Sequence, residues 1–298
     1  MIVEIVDLKR IAMAAMVTMG LGLLIFSHSD AGPPSCAAFN DPGAVFCDNF
    51  EDGDLEGWGH ATLAGSLNLI TIDSGLGGSN FAVKLFTPVE GVPDGSGVVL
   101  TGASYKMFVP NGGKFWIEWR GSYDSSFRWG VGCWANPDGS QYCNSSHKTF
   151  DLRNAEPAGN RVLMHVVDGG DGGSKGGIRW LWETAGVEHG PNVDPNFVLL
   201  PGKTYHFILE VTNAVGTAGR YKFWVDGGLV FDQSIQTCTN VAGCTWTSVA
   251  LGGAQAGVGP GGNSQSFDDV RITRTAIVPW KSPDTTPPSA PKNPRVMQ

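Results

Sequence analysis

Beyond residue 31, apolar residues recur at every second position in short runs, and clusters of Gly, Pro, Asn and Asp separate the runs. No segment there holds a 3.6-residue apolar period for three turns. Successive side chains of a strand point to opposite faces, so the pattern predicts strands with one face on a core. The clearest fall at 81–86, 114–120, 148–153, 161–167, 178–182, 204–212, 221–225 and 269–273. So many strands without a second hydrophobic unit predict an all-β fold, a two-sheet antiparallel β-sandwich, over residues 32–281. The glycine-rich segment 168–177 reads as a hairpin loop, since it occurs once and lacks the nonapeptide period of a calcium-binding β-roll.

The two ends break the pattern. Lys9 and Arg10 precede an apolar run at 11–26, and Ser29 and Ala31 stand at the spacing of a signal-peptidase site. Residues 1–31 are therefore expected to be a secretory signal peptide, with an uncleaved anchor as the alternative; no later stretch is apolar enough to span a bilayer. Residues 282–298 carry five prolines and form a semi-rigid linker or tail. The expected location is extracellular or periplasmic.

Composition narrows the function. Of 298 residues 42% are hydrophobic and 16% charged, which excludes disorder and coiled coil, and the 42 glycines lack the three-residue period of collagen. A net charge of −8 without any Lys/Arg cluster argues against nucleic acid as a partner. In an exported chain, the close pairs Cys36/Cys47, Cys133/Cys143 and Cys238/Cys244 suggest three local disulfides, although other connectivities remain open. Zinc is disfavoured, because there is no Cys-x-x-Cys and the histidines lack metal-ligand spacing.

Three segments carry a resemblance: VFCDNFEDGDLEGW at 45–58, YKFWVDGGLV at 221–230 and FDDVRI at 267–272. In order and spacing they resemble the opening strand, a hairpin and the closing strand of the concanavalin A-like lectin/glucanase superfamily, the jelly rolls that include laminin-G-like domains, polysaccharide lyases and carbohydrate-binding modules, and the resemblance implies a jelly roll here. Period two puts Asp268 on the inward phase of Val270 and Ile272, where a carboxylate needs a cation or several N–H donors. The resemblance implies that Glu51 with Asp268 or Asp269 shares a structural Ca²⁺, a hard ion suited to oxygen ligands. Loop-capping hydrogen bonds from the same acids are the competing reading.

The resemblance also implies a polysaccharide lying across the concave sheet. Trp116, Glu118 and Arg120 share one phase of their strand, Lys222 and Trp224 share another, Arg179 is out of phase with Trp180 and Trp182, and His165 is in phase with Arg161. His147 and Lys148 open a further strand. If these strands are neighbours, Trp116, Glu118, Arg120, Lys148, Arg179 and Trp224 form one basic, tryptophan-bearing surface suited to an anionic glycan. Each tryptophan has an equally simple place in the core.

Retaining hydrolases of the superfamily need two acids on one strand face, and no such segment occurs; nucleophile-elbow and phosphate-loop motifs are absent too. A lyase asks for less: a base such as His147 or His165, a cation such as Arg120, Lys148 or Arg179, and a proton donor such as Tyr123, Tyr142 or Tyr205. The recognisable alginate-lyase motifs of the superfamily are missing. The expectation is a monomeric secreted protein that binds an anionic polysaccharide, with a polysaccharide lyase as the alternative and an adhesion module third.

Overall fold

The alternation at 113–123 becomes a strand whose Phe115, Ile117 and Trp119 are buried while Glu118 and Arg120 are partly exposed. The computed structural model describes residues 34–55, 58–62, 70–87, 98–109, 113–129, 134–135, 141–142, 146–154, 161–168, 175–184, 187–214, 218–234, 245–256 and 263–279. Strands are numbered along the chain. The first sheet, sheet A, holds β1 (Ala44–Asp48), β3 (Ile70–Ser74), β4 (Phe81–Thr87), β6 (Gly113–Tyr123), β13 (Thr204–Asn213), β14 (Arg220–Val225), β15 (Gly228–Ser234) and β17 (Asn263–Thr273). Its order is β15-β14-β13-β6-β17-β4-β3, with β1 also paired to β17.

Sheet B holds β2 (Trp58–Thr62), β5 (Val98–Val109), β9 (Ser146–Asn154), β10 (Arg161–Asp168), β11 (Gly176–Thr184), β12 (Val187–Leu199) and β16 (Trp246–Ala256), in the order β12-β11-β10-β9-β16-β5-β2. A small hairpin pairs β7 (Trp134–Ala135) with β8 (Gln141–Tyr142). Neighbouring strands in both sheets run antiparallel, as the sandwich reading expects. No helix among the described residues is long and apolar enough to cross a membrane.

Aromatic rings join the sheets across one core. Trp119 of β6 stacks on Phe150 of β9 with centroids 4.8 Å apart, and Trp180 of β11 meets Phe223 of β14 at 4.9 Å. Such pairs contribute about 0.5–1.5 kcal/mol each beyond the area they bury. Trp180 and Trp246 are thereby core residues. Between β14 and β15 the backbone reverses at Asp226 and Gly227, both with positive φ (49° and 74°), the tight hairpin geometry that an Asp-Gly pair favours.

Cys36 and Cys47 are bonded, tying a 3-10 turn (Pro34–Phe39) to β1. Cys133, Cys143, Cys238 and Cys244 lie outside the described residues, as do the expected signal segment 1–31 and the tail 282–298.

Candidate functional site

The surface expected from the sequence comes apart in the fold. Trp116, Glu118, Arg120 and Trp224 stand on β6 and β14 of sheet A, whereas His147, Lys148, His165 and Arg179 stand on β9, β10 and β11 of sheet B. The assumption that these strands adjoin is corrected: β6 lies between β13 and β17, and β9 lies between β10 and β16. The two groups therefore stand on different sheets. Trp116 does not offer an open ring either, being only 7% exposed.

On the outer face of sheet A, register aligns Trp224, Ile208, Glu118 and Arg271 in one cross-strand row and His206, Arg120 and Asp268 in the next. From these rows Glu118, Arg120, His206 and Arg271 line a pocket of about 620 Å³, together with Thr204, Asp269, Phe39 and Gly77. Glu118 is the hub. Its Oε1 lies 2.7 Å from His206 Nε2, its Oε2 accepts from Arg271 Nε at 2.8 Å, and Arg271 Nη2 joins the same oxygen. Burial pushes the Glu118 carboxyl up, but the His206 hydrogen bond and the Arg271 charge outweigh it and hold its pKa below the ordinary value. Arg271 Nη1 extends the network to Asp41 at 3.3 Å.

Arg120 turns the other way. Its Nε pairs with Asp269 at 3.1 Å and its Nη1 donates to the Leu76 carbonyl at 3.3 Å. Gly77 makes this approach possible, because it takes a positive φ of 63° and a Cβ there would collide with Arg120 Nη1. His206, Arg271 and Asp41 were not among the candidates, although the signal for the first two exists: His206 stands between buried Tyr205 and Phe207, and Arg271 between buried Val270 and Ile272.

A bulge after Asp268 corrects the phase read from the closing strand. Asp268 pairs with Arg120 and Arg271 with Glu118, so two residues oppose one and Asp269 takes a positive φ of 47°. Asp268 thus falls on the outer phase, yet it is fully buried, because loop 75–80 covers it. Its Oδ2 accepts from Leu76 N at 2.9 Å and from the Ser79 hydroxyl, and its Oδ1 accepts from Asp269 N at 2.7 Å.

Glu51 grips the far side of the same loop through Asn80 N at 2.7 Å, Asn80 Nδ2 at 2.6 Å and Phe81 N at 3.2 Å. Both acids therefore act as loop caps, while Asp269 belongs to Arg120. No three His, Cys, Asp or Glu side chains cluster in metal-binding fashion among the described residues. Asp268 is a buried carboxylate with no ion pair among those residues and a pKa raised by desolvation; two backbone N–H groups and the Ser79 hydroxyl already donate to it, and a hard cation would offset the remaining charge.

On sheet B the backbone register supplies what the periodicity could not. Strand β10 sets His165 opposite Arg179 of β11 and opposite Lys148 of β9, in the phase alternate to buried Met164 and Val166. The β9 partner of Met164 is Phe150, so Thr149 is the extra residue of a bulge that moves Lys148 into the row of His165. His147 pairs with Val166 and so takes the opposite phase from Lys148. Next along this face, Asp151 is held by Arg153 at 2.7 Å. Of the proposed proton donors, Tyr123 and Tyr205 are buried, with burial the main cause of raised pKa values, Tyr205 reaching about 12.

No protein-family model and no curated protein matches the sequence. Solved structures do match. The endo-β-1,4-glucuronan lyase from the fungus Trichoderma reesei gives a TM-score of 0.55 at 13% identity, covering 80% of this chain and 100% of that one. A variant of alginate lyase Aly36B in complex with alginate trisaccharide gives 0.55 at 14% identity, over 79% of this chain and 99% of that one. A structure of alginate lyase Aly36B gives 0.51 at 13% identity, over 78% of this chain and 92% of that one. At such identities the shared property is the fold, a jelly-roll β-sandwich.

Proposed function

We propose that the protein acts on a uronate-containing polysaccharide lying across the outer face of sheet B, and that it cleaves this polymer by β-elimination. The observation that carries the reading is the row Lys148, His165, Arg179, which sets an imidazole position between two cation positions on adjacent strands. In this reaction a base removes the proton α to the uronate carboxylate. The electron pair of that C–H bond forms a carbon–carbon double bond as the glycosidic C–O bond breaks, and the departing oxygen takes up a proton. Neutral His165 serves as the base, and Lys148 and Arg179 offset the charge that builds on the carboxylate as the proton leaves. The shared fold with lyases of alginate and glucuronan supports the choice of chemistry. Export by segment 1–31 would bring the protein to extracellular polymers.

Structural calcium fits the same reading. Glu51 and Asp268 would hold the ion beside loop 75–80 with the Ser79 hydroxyl nearby, neutralising the buried Asp268 and stiffening the loop that meets Arg120.

Binding without cleavage is the second reading, favoured by the commitment of Asp151 to Arg153 on that face. One experiment separates the two. Purified protein is incubated with alginate, polygalacturonate and glucuronan while ultraviolet absorbance of unsaturated uronate is followed. Turnover that disappears in His165→Ala supports the lyase. Intact polymers, with retention in affinity electrophoresis, leave a binder, and no retention on any of the three removes both readings.

A further inference from the structure

We infer that the pocket on the outer face of sheet A is a second ligand site, and that it takes a neutral, hydroxyl-rich saccharide unit. At about 620 Å³ it lies within the size range of small-molecule sites, roughly 300–1,000 Å³. Its charges are compensated: in the wall Arg271 pairs with Glu118 and Arg120 with Asp269, while Asp41 and Lys203, outside the lining, pair with Arg271 and Asp226. An anion therefore finds no surplus cation here, unlike the row on sheet B.

The wall instead keeps donors and acceptors interleaved. Arg120 uses Nε and Nη1 on Asp269 and Leu76, which leaves Nη2 without a protein partner among the described residues. His206 uses Nε2 on Glu118, which leaves Nδ1. Thr204 contributes a hydroxyl to the same lining. A sugar hydroxyl both donates and accepts, so it matches such a mixture better than a carboxylate or an ammonium group does.

The groups are also held in advance. Glu118 fixes the imidazole, Gly77 makes room for the guanidinium, and Asp226 Oδ1 anchors the His206 backbone N–H at 2.9 Å. Little ordering remains to oppose binding. Phe39, whose ring lies 5.5 Å from the Arg271 guanidinium carbon, adds an apolar wall for the C–H face of a sugar.

This site is independent of the sheet B reading, and its test does not use turnover. Cellobiose, xylobiose and digalacturonate are titrated calorimetrically into wild type, Arg120→Lys and His206→Asn. Arg120→Lys keeps the charge opposite Asp269 but removes the planar fork, and unchanged thermal melting shows that each variant is folded. The expected result is that a neutral disaccharide binds at millimolar concentration in preference to digalacturonate and weakens about tenfold or more in both variants. No heat with either neutral sugar, tighter binding of digalacturonate, or equal affinity in folded variants would overturn the assignment.

Discussion

His206 Nε2 lies 2.7 Å from one oxygen of Glu118 while Arg271 holds the other oxygen of the same carboxylate. One acid thus joins β6, β13 and β17, and its removal leaves Arg271 largely buried with Asp41 as its one acidic partner among the described residues. Glu118→Ala is expected to lower stability by about 2–4 kcal/mol, since losing one member of a buried pair leaves the other charge uncompensated. Because the folded-state pKa of Glu118 lies below its ordinary value, its contribution is present above the unfolded carboxylate pKa and is lost as pH falls through the folded value. Urea unfolding at neutral pH and near pH 3 checks both statements. Equal midpoints for wild type and variant at neutral pH would contradict them.

Asp48 behaves in the opposite sense. It accepts from Phe50 N at 2.8 Å and from Trp58 Nε1 at 2.6 Å, yet desolvation by burial pushes its pKa up to about 6. A raised folded pKa means that the native state binds the proton more tightly. Asp48 therefore favours folding below its unfolded pKa, and that contribution is lost as pH rises from about 4 to about 6. Relative to Asp48→Asn, the wild type should gain on the order of 1–3 kcal/mol when pH is lowered from neutral to about 4. Parallel pH–stability curves for the two proteins would remove the assignment.

The legibility of these features follows physical range. Phe115, Ile117 and Trp119 were readable as one face of β6 because side-chain alternation is local. The Asp226-Gly227 turn was readable through the resemblance of segment 221–230 to a family hairpin, and its positive-φ backbone favours those residue types. Strand neighbours were not: nothing within 113–123 says that β13 and β17 flank it, so Arg120 was grouped with Lys148 on the other sheet. Bulges defeated the pattern twice. At Asp269 and at Thr149 a single added residue reverses the phase, moving Asp268 to the outer phase and Lys148 into line with His165. His206 carried a local signal, its phase against Tyr205 and Phe207, but acquires meaning only through Glu118 on a strand distant in sequence.

Calcium should raise the melting temperature, and chelation by EDTA should lower it. The effect should vanish in Asp268→Asn, which removes the buried charge, and weaken in Glu51→Gln, whose amide oxygen can still cap Asn80 and Phe81. Magnesium should be a poor substitute, since it keeps its water and demands stricter octahedral geometry. A melting temperature indifferent to both calcium and EDTA leaves Glu51 and Asp268 as loop caps alone.

Attraction of a polyanion to a chain with a net charge of −8 has to be local. On the proposed reading Lys148 and Arg179 of sheet B would supply that locality, so retention on a polyuronate gel should fall as salt rises, over ionic strengths where screening shortens to about 8 Å. Charge reversal in Lys148→Glu or Arg179→Glu adds repulsion to the lost attraction and should weaken retention about tenfold or more at low salt. Arg220 provides the control: it is exposed on sheet A and already held by Asp232 at 2.6 Å, so Arg220→Ala should leave retention unchanged. Retention that ignores salt, or that drops equally in Arg220→Ala, would detach the anionic polymer from sheet B.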